Sequence, residues 1–193
     1  MENIKSVCVY CGHNAGEPIY QDAAKALGTI LGKAEFELVY GGGKLGLMGM
    51  IADAVIEHGG RVVGFIPHHL DEFEGAHTGI HELHLVDSMH TRKLNMSERA
   101  DAFVVLPGGF GTLDELFEII TWRQLGLHDK PIVVVNINHY WDKLAELLNH
   151  LVDSNYAAPE DLLMLKFVTS VEDVIPALKA AKQPEGDFLS HIV

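Results

Sequence analysis

Short runs of apolar residues alternate along the chain with longer stretches in which apolar residues recur every three or four positions. Val- and Ile-rich runs are typical of buried β-strands, whereas the longer period is typical of helices with one buried face. The pattern predicts strands at 6–11, 36–40, 61–66, 82–86, 102–106, 131–136 and 165–169. It predicts helices at 17–33, 46–58, 88–99, 112–125, 141–153 and 171–182, with a short helix at 159–163.

Strands that alternate with helices indicate an α/β fold in which a mostly parallel sheet is covered by helices on both faces. We predict a Rossmann-like, doubly wound sheet of about seven strands in one domain over residues 1–182, with a C-terminal tail at 183–193. Such sheets bind ligands at the carboxyl ends of their strands. The segments predicted to lie at those ends are 11–13, 41–43, 67–74 and 107–112.

Acidic residues outnumber basic ones, with 27 Asp and Glu against 14 Lys and Arg and a net charge of −13 over 193 residues. This balance disfavours a nucleic-acid polymer or an anionic membrane as the partner. No apolar run approaches the ~20 residues of a membrane span, and the N-terminus lacks the pattern of a signal peptide. We therefore predict a cytoplasmic protein that binds a small molecule.

The two cysteines, Cys8 and Cys11, have the C-x-x-C spacing of redox and zinc sites. Both fall within a predicted strand, where residues three apart point to opposite faces of the sheet, so we predict two separate, reduced thiols. The segment 81–84, His-Glu-Leu-His, lacks the helical H-E-x-x-H spacing of zinc ligands. No metal site is predicted.

The most informative segment is 106–115, in which a buried strand runs into the turn Pro-Gly-Gly-Phe-Gly before a predicted helix. Three glycines leave backbone N–H groups uncovered where the start of the helix carries partial positive charge, and this geometry binds phosphate. Glu115 follows one helical turn further on. A structural interpretation is also open, because Thr112 and Glu115 have the spacing of a capping box with Thr112 as the N-cap residue.

A second glycine-rich turn, at 41–46, has the G-x-G-x-x-G spacing of a dinucleotide site. Such sites need an acidic residue at the end of the next strand to bind the adenosine ribose. Here the nearest acidic residues, Asp71 and Glu72, lie in the following segment, so the turn favours a mononucleotide over NAD. Close packing between helix and strand is the alternative reason for these glycines.

Two cations, Arg92 and Lys93, lie near the start of the helix predicted at 88–99. Neither has an acidic residue three or four positions away, and positive charge at a helix start opposes the helix dipole. A distant partner, either Glu115 or a bound anion, would explain them; solvated surface charge is the alternative.

The helix at 112–125 is apolar around most of its circumference, which indicates either a homodimer interface or a central helix beneath a long loop.

Three motifs in the chain resemble the Lonely Guy family of cytokinin-activating phosphoribohydrolases. They are P-G-G-x-G-T-x-x-E at 107–115, Met-His-x-Arg-Lys at 89–93 and Y-G-G-G-x-x-G-L-M-G at 40–49. The similarity covers residues 5–180 and includes the run 121–131. It implies a homodimer that hydrolyses the N-glycosidic bond of adenosine-type 5′-monophosphates, with or without an N6 substituent. The reaction needs no cofactor and releases free base (cytokinin or adenine) and ribose 5-phosphate.

The resemblance also implies roles for individual residues. Arg92 and Glu115 match the family's catalytic pair, and Glu74 matches an acidic position near the substrate. Cleavage of the C–N bond builds positive charge on the sugar ring, which a Glu115 carboxylate would stabilise while it orients the attacking water. Arg92 would either keep that carboxylate ionised or contact the leaving base. The residues predicted to bind the substrate are Gly43, Glu74, Met89, Lys93, Gly108, Gly109, Phe110, Gly111, Thr112, Leu113 and Asp114.

His13 departs from the family pattern, because many members have Ser or another small polar residue after the Cys-Gly of the first strand. The preferred base therefore stays open, and AMP nucleosidase activity is the alternative within this reaction class.

Two other functions are possible for a chain with these motifs. A non-catalytic nucleotide or cofactor carrier, similar to molybdenum-cofactor carriers, would be expected to lack the pair of Arg92 and Glu115. Lysine decarboxylase, a label attached to similar sequences, needs a pyridoxal cofactor on a Schiff-base lysine, and only Lys44 and Lys93 lie near the predicted site.

Overall fold

The computed structural model of the protein describes residues 4–181, without the side chains of residues 72–74. The predicted tail at 183–193 lies outside the described residues. Within them, seven strands pair in parallel to form one sheet, in the order fourth, third, second, first, fifth, sixth, seventh. The strands are β1 (Ser6–Tyr10), β2 (Glu37–Tyr40), β3 (Val62–Pro67), β4 (Glu82–Val86), β5 (Ala102–Val105), β6 (Ile132–Val135) and β7 (Leu165–Val168).

Helices cover both faces of this sheet. Those in the described residues are α1 (Pro18–Lys33), α2 (Gly46–Glu57), α3 (His68–Glu74), α4 (Met89–Arg99), α5 (Phe110–Gln124), α6 (Asp142–Asp153) and α7 (Val174–Ala180), with 3₁₀ helices at Ile137–His139 and Pro159–Met164. Apolar side chains of α1, α2 and α7 pack on one face, and those of α4, α5 and α6 pack on the other. The predicted doubly wound α/β fold is confirmed.

Side chains along β1 alternate between the two apolar layers. Val7 and Val9 pack with α1, α2 and α7, whereas Cys8 and Tyr10 pack with α4, α5 and α6. Cys11, just after the strand, returns to the first layer. Cys8 and Cys11 are free and buried on opposite faces, so the prediction of two separate thiols is confirmed.

Small residues bring α1 and α2 close together on one face of the sheet. A Cβ on Gly28 would lie only 2.6 Å from the carbonyl oxygen of Ile51, and one on Gly32 would lie 2.8 Å from the carbonyl oxygen of Val55. The absence of side chains at these two positions therefore lets the helix backbones approach each other. The close contact positions α2, and with it the glycine turn that precedes the helix.

The predicted strands agree with the structure to within one residue at each end. Helix α3 was not predicted, because its seven residues span too little sequence to show a repeating apolar face. Helix α7 begins at Val174 rather than at 171, since a hydrogen bond between Ser170 and Asp173, 2.9 Å long, belongs to a turn before the helix. Short helices and helix starts depend on local contacts that periodicity does not reveal.

The strand order reverses direction between β1 and β5, near the middle of the sheet. These neighbours are followed by α1 and α5, which lie on opposite faces of the sheet, so their connections separate and leave a crevice.

Within residues 4–181, no helix is long and apolar enough to cross a membrane. Among the side chains that the structure describes, no group of three or more His, Cys, Asp or Glu residues could hold a metal ion.

Candidate active site

A cavity of about 310 Å³ opens at the carboxyl ends of β1 and β5. This is the crevice in which doubly wound sheets bind their ligands. The segment that follows β1 and the first two turns of α5 supply most of its wall, and α2 and α4 supply the rest. Its lining residues in the described part of the chain are Cys11, Gly12, His13, Asn14, Met48, Met89, Arg92, Gly109, Phe110, Gly111, Thr112 and Glu115.

The turn between β5 and α5 contains glycines of two kinds. A Cβ on Gly108 would lie 2.1 Å from the hydroxyl oxygen of Thr112, so packing requires glycine there. A Cβ on Gly109 or Gly111 would meet no atom within 4 Å, and neither residue has a positive φ. Neither packing nor backbone conformation requires glycine at these two positions. Glycine there leaves the backbone N–H groups uncovered toward the cavity that both residues line.

Helix α5 begins at Phe110 with Gly109 as its N-cap residue, so the prediction of Thr112 as the N-cap of a capping box is wrong. The first helical hydrogen bond runs from the N–H of Leu113 to the carbonyl of Gly109, at 3.0 Å. Thr112, only 3% exposed, turns its side chain back against the preceding glycine turn from within the helix. The N–H groups of residues 110–112 lie at the positive end of the helix dipole, where they can bind an anion.

Arg92 is 5% exposed, and backbone carbonyl groups fix its guanidinium. Nη2 donates to the carbonyl of Gly41 at 2.8 Å, and Nε donates to the carbonyl of Phe65 at 3.1 Å. Ser88 caps the start of α4, as the predicted helix at this position requires. Gly41 follows β2 and Phe65 belongs to β3, so two adjacent strands hold the arginine at the cavity that it lines.

Glu115 is buried on α5 and lines the same cavity as Arg92. Burial, and after it the Glu115 charge, raise the pKa of the Cys11 thiol, whereas the Arg92 charge acts in the opposite direction. Cys11 is therefore a neutral, weakly polar part of the wall and not an activated nucleophile. The structure brings both residues of the predicted catalytic pair to one cavity.

Lys93 lies in a cluster of acidic side chains of α5. Its Nζ is 3.0 Å from Asp114 Oδ2 and 3.1 Å from Glu118 Oε1, and its side chain is 10% exposed. Burial disfavours the charged amine, but hydrogen bonds and charges from Asp114 and Glu118 outweigh burial and raise the pKa of Lys93. The distant partners of this cation are thus Asp114 and Glu118, and not the predicted Glu115 or a bound anion.

The glycine turn after β2 is tied to the segment that follows α3. Gly43 forms an antiparallel bridge with Ala76, and the N–H of His77 donates to the carbonyl of Gly42 at 2.9 Å. Nε2 of the buried His77 is in turn hydrogen-bonded to Asp53 on α2, also at 2.9 Å. Gly42 has a φ of +75°, which a larger residue adopts only with strain. Backbone conformation and close contacts thus explain the glycines of this turn.

The cavity includes five of the predicted substrate-binding residues: Met89, Gly109, Phe110, Gly111 and Thr112. Within the described residues, the other predicted positions lie outside its lining; they are Gly43, Lys93, Gly108, Leu113 and Asp114. The side chain of Glu74 is outside the described residues. For all of these residues, contact with a substrate stays a prediction. Asn14 and Met48 also line the cavity; extending the 11–13 segment by one residue, and using all of the 40–49 motif, would have included them.

Comparisons with known proteins agree with this class of α/β protein and site. A family model described as possible lysine decarboxylase matches residues 48–178. The chain is 41% identical over 176 residues to cytokinin riboside 5′-monophosphate phosphoribohydrolase LOG1 of Arabidopsis thaliana, covering 91% of this chain and 83% of that protein. It is 40% identical over 178 residues to the phosphoribohydrolase of the same name from Rhodococcoides fascians, covering 91% and 90%. The chain belongs to this family, the Lonely Guy family that its motifs resemble.

Solved structures with the same fold include molybdenum-cofactor proteins. The molybdenum cofactor binding protein from Rippkaea orientalis superposes with a TM-score of 0.71 at 17% identity, covering 93% of this chain and 98% of that one. The molybdenum cofactor carrier protein of Chlamydomonas reinhardtii gives 0.69 at 17% identity with the same coverage. At this level of identity, the likeness concerns the fold alone.

Proposed function

We propose that the protein hydrolyses the N-glycosidic bond of adenosine-type nucleoside 5′-monophosphates, releasing free base and ribose 5-phosphate. The observation that carries this proposal is that the buried side chains of Arg92 and Glu115 line one cavity together with the N-terminus of α5. The start of α5 offers backbone donors for a phosphate, and Glu115, one turn further along the same helix, offers a carboxylate for the sugar. Relatives at 40–41% identity that are named for this reaction support the proposal.

In this proposal the 5′-phosphate binds at the start of α5. The backbone of 109–112 supplies N–H donors, and the helix dipole favours negative charge at that end. With a net charge of −13, the protein needs such a local positive site to capture an anion. Because the phosphate is remote from the bond that breaks, its binding energy serves to hold the ribose in the reactive position.

The carboxylate of Glu115 faces the reacting sugar in this scheme. As the C–N bond breaks, positive charge builds on the ribose ring, and a carboxylate beside the ring stabilises it. Glu115 also accepts a proton from the attacking water, whose oxygen bonds to the sugar carbon as the C–N bond breaks. That proton then passes to the leaving base, which leaves Glu115 ionised again. Arg92, held by the carbonyls of Gly41 and Phe65, supplies a positive charge that favours the ionised carboxylate.

Two methionines support an N6-substituted adenine as the base. Met48 and Met89 line the cavity from α2 and α4. Methionine side chains are flexible and polarizable, and they adapt to apolar groups of irregular shape. An apolar N6 substituent such as a prenyl group would gain contacts with this wall that plain adenine lacks. We propose N6-prenylated adenosine monophosphates as the preferred substrates, with AMP as the alternative.

We also propose that the protein is a homodimer formed through the outer face of α5. Leu125 and Leu127, just after the end of this helix, are 48% and 69% exposed, and Phe110 at its start is 93% exposed. A second copy that covered this face would remove those apolar side chains from water. Light scattering on the wild type and Leu125→Glu tests the idea, with Ile19→Glu on the opposite face of the sheet as the matched control. A monomeric wild type would contradict it.

The free thiols of Cys8 and Cys11 fit a reducing compartment, so we propose a cytoplasmic location.

The lysines near the site do not favour lysine decarboxylase activity, which the description of the family model suggests. A Schiff-base lysine reacts as the neutral amine, whereas the ion pairs of Lys93 raise its pKa and keep it charged. Lys44 is an exposed side chain.

The experiment that tests the activity is product analysis with AMP and N6-isopentenyl-AMP as separate substrates. The wild type should release free base and ribose 5-phosphate, and Glu115→Gln should lower turnover by about 10²-fold or more. Glu118→Gln, one turn further along α5 and outside the cavity lining, is the matched control and should keep most activity. Absent base release from both substrates, with nucleotide binding retained, would refute the proposal in favour of a carrier.

A further inference from the structure

The loop between β6 and α6 contacts the glycine turn of the candidate site through one hydroxyl group. Tyr140 follows the 3₁₀ helix Ile137–His139, and its Oη donates a hydrogen bond to the carbonyl oxygen of Gly108 at 2.8 Å. Gly108 belongs to the turn after β5, and β5 and β6 are neighbours in the sheet. Tyr140 thus approaches the phosphate-binding turn from outside the set of residues that line the cavity.

This hydrogen bond fixes the direction of a donor in the site. In a trans peptide, the N–H of one residue points opposite to the carbonyl of the residue before it. The peptide between Gly108 and Gly109 is trans, so the N–H of Gly109 points away from Tyr140 while Tyr140 holds the Gly108 carbonyl. Gly109 is the N-cap residue of α5 and lines the cavity, whereas Gly108 does not.

The backbone that carries Tyr140 is held in an unusual conformation. Asn138 and His139, directly before it, have φ values of +48° and +62°, in the left-handed region that few residues other than glycine adopt. The side chain of Asn136 stabilises this loop by accepting from the N–H of Trp141 at 2.6 Å and donating to Asp142 at 2.7 Å. Such strain persists where the surrounding structure fixes it, and it is common at functional sites.

Two aromatic contacts fix the ring of Tyr140 independently of its hydroxyl. Tyr20 packs edge-on against it, with the ring centroids 5.3 Å apart, and Trp141 does the same at 4.8 Å. A phenylalanine at position 140 would keep both contacts. The hydroxyl is therefore the one group of this side chain whose removal acts directly on the glycine turn.

We propose that Tyr140 is a positioning residue for the 5′-phosphate: its hydroxyl holds the Gly108 carbonyl so that the N–H of Gly109 is directed at the bound anion. The inference rests on the proposed function, because it deepens the account of the phosphate site. Tyr140 acts through the glycine turn and is remote from the glycosidic bond. Its loss should weaken phosphate binding and leave the chemical step intact.

The test is Tyr140→Phe, with Tyr20→Phe as the matched control that removes a hydroxyl from the neighbouring ring. Steady-state kinetics with AMP give KM and kcat, and calorimetry gives the Kd of ribose 5-phosphate. For Tyr140→Phe we expect KM and Kd to rise about tenfold, the value of roughly one hydrogen bond, with kcat within about twofold of the wild type. Tyr20→Phe should match the wild type in all three constants.

Each other result overturns the proposal. An unchanged Kd would show that the hydroxyl does not organise the anion site, and a loss confined to kcat would place Tyr140 in the chemical step. Equal losses in Tyr140→Phe and Tyr20→Phe would indicate disturbed packing. If the wild type fails to cleave AMP, the proposed reaction is wrong, and the Kd of ribose 5-phosphate still decides the role of Tyr140. A wild type that binds no ribose 5-phosphate overturns the role proposed for Tyr140, whereas release of base from AMP decides the proposed reaction separately.

Discussion

Arg92 and Gly41, 51 residues apart in the sequence, meet through a hydrogen bond of 2.8 Å from Nη2 to the glycine carbonyl. A Cβ on Gly41 would lie 1.9 Å from that same Nη2 atom. The glycine therefore has two roles, since it accepts the hydrogen bond and leaves the space that the guanidinium occupies. The atom in the way is the tip of a flexible side chain, so a substitution at Gly41 would displace Arg92 before it displaced the backbone.

Gly41→Ala should inactivate the protein without unfolding it. The added methyl group would move the Arg92 guanidinium, and a shift of about 1 Å in an active-site group lowers turnover by as much as ~10²-fold. The backbone φ of Gly41 is not positive, so alanine brings no backbone strain. We expect kcat on AMP to fall by about 10²-fold while the melting temperature stays within a few degrees of the wild type.

A substitution at Gly59 is the control, because it should lower stability without lowering turnover. A Cβ on Gly59 would meet no atom within 4 Å, but its φ is +82°. Gly59→Ala should therefore lower the free energy of unfolding by about 1–2 kcal/mol through backbone strain and leave kcat unchanged. If Gly41→Ala keeps wild-type turnover, the position of the guanidinium does not limit catalysis.

Gly111→Ala should stabilise the fold and weaken ligand binding. Gly111 lies in the first turn of α5, where alanine is favoured over glycine by up to about 1 kcal/mol, and a Cβ there meets no atom within 4 Å. The methyl group would instead cover backbone donors facing the cavity. We expect a higher melting temperature together with an affinity for ribose 5-phosphate about tenfold lower, the scale of a hydrogen bond to a charged group.

Gly28→Ala, also within a helix, is the control for Gly111→Ala. It tests whether higher stability together with weaker binding of ribose 5-phosphate is specific to Gly111. Its Cβ would lie 2.6 Å from the carbonyl oxygen of Ile51, so alanine would force α1 and α2 apart. Such overpacking costs about 1–3 kcal/mol of stability and should leave the affinity for ribose 5-phosphate unchanged. Wild-type affinity in Gly111→Ala would show that no ligand approaches the start of α5 closely.

The glycines of the site show which features could be predicted from the sequence and which could not. The alternation of Val-rich strands and amphipathic helices predicted the sheet, because both periods follow from burial on known faces. The sequence also pointed to the turn at 107–112 as an anion site. It could not separate Gly109 and Gly111, which packing does not require, from Gly108, which it does, since that distinction depends on where Thr112 packs.

Contacts between distant segments were the part that periodicity could not supply. The carbonyls that hold Arg92 come from the turn after β2 and from within β3, and the hydroxyl of Tyr140 contacts the glycine turn across 32 residues. The partners of Lys93 were likewise missed, because Asp114 and Glu118 lie on a different helix. Each of these contacts depends on how the chain folds back on itself.

Both cysteines should be unreactive in the folded protein. Burial is the main factor that raises the pKa of the Cys8 and Cys11 thiols, and the charge of Glu115 adds to it. The thiolate is the reactive form, so at pH 8 neither should be labelled by an aromatic disulfide reagent. Denaturant should expose both, giving two thiols per chain. Cys11 lines the cavity, so rapid labelling at this residue alone would mean that its thiol ionises there.

Acid should weaken the junction between β1 and β5 through Asp101. Its Oδ2 accepts from the N–H groups of Lys5 and Ser6, at 2.8 and 3.0 Å, and from the Ser6 hydroxyl at 3.0 Å. Desolvation alone would raise the pKa of Asp101, but these hydrogen bonds outweigh it and lower the pKa below the usual value. A carboxyl with a lowered folded-state pKa stabilises the fold above its unfolded pKa, about 3.9, and loses that contribution as the pH falls through the folded-state value.

Urea unfolding of the wild type and Asp101→Asn at pH 7 and pH 3 checks this linkage. At pH 7 the wild type should be more stable than Asp101→Asn. The charged carboxylate of Asp101 accepts these hydrogen bonds more strongly than the neutral amide oxygen of asparagine does. At pH 3, below the unfolded-state pKa of Asp101, the difference in the free energy of unfolding should shrink, since the unfolded chain then binds a proton more readily than the folded protein does. Asp22→Asn, an exposed position on α1, is the matched control and should change little between the two values. A difference between wild type and Asp101→Asn that stays constant from pH 7 to pH 3 would mean that the hydrogen bonds at the start of β1 do not depend on the charge of Asp101.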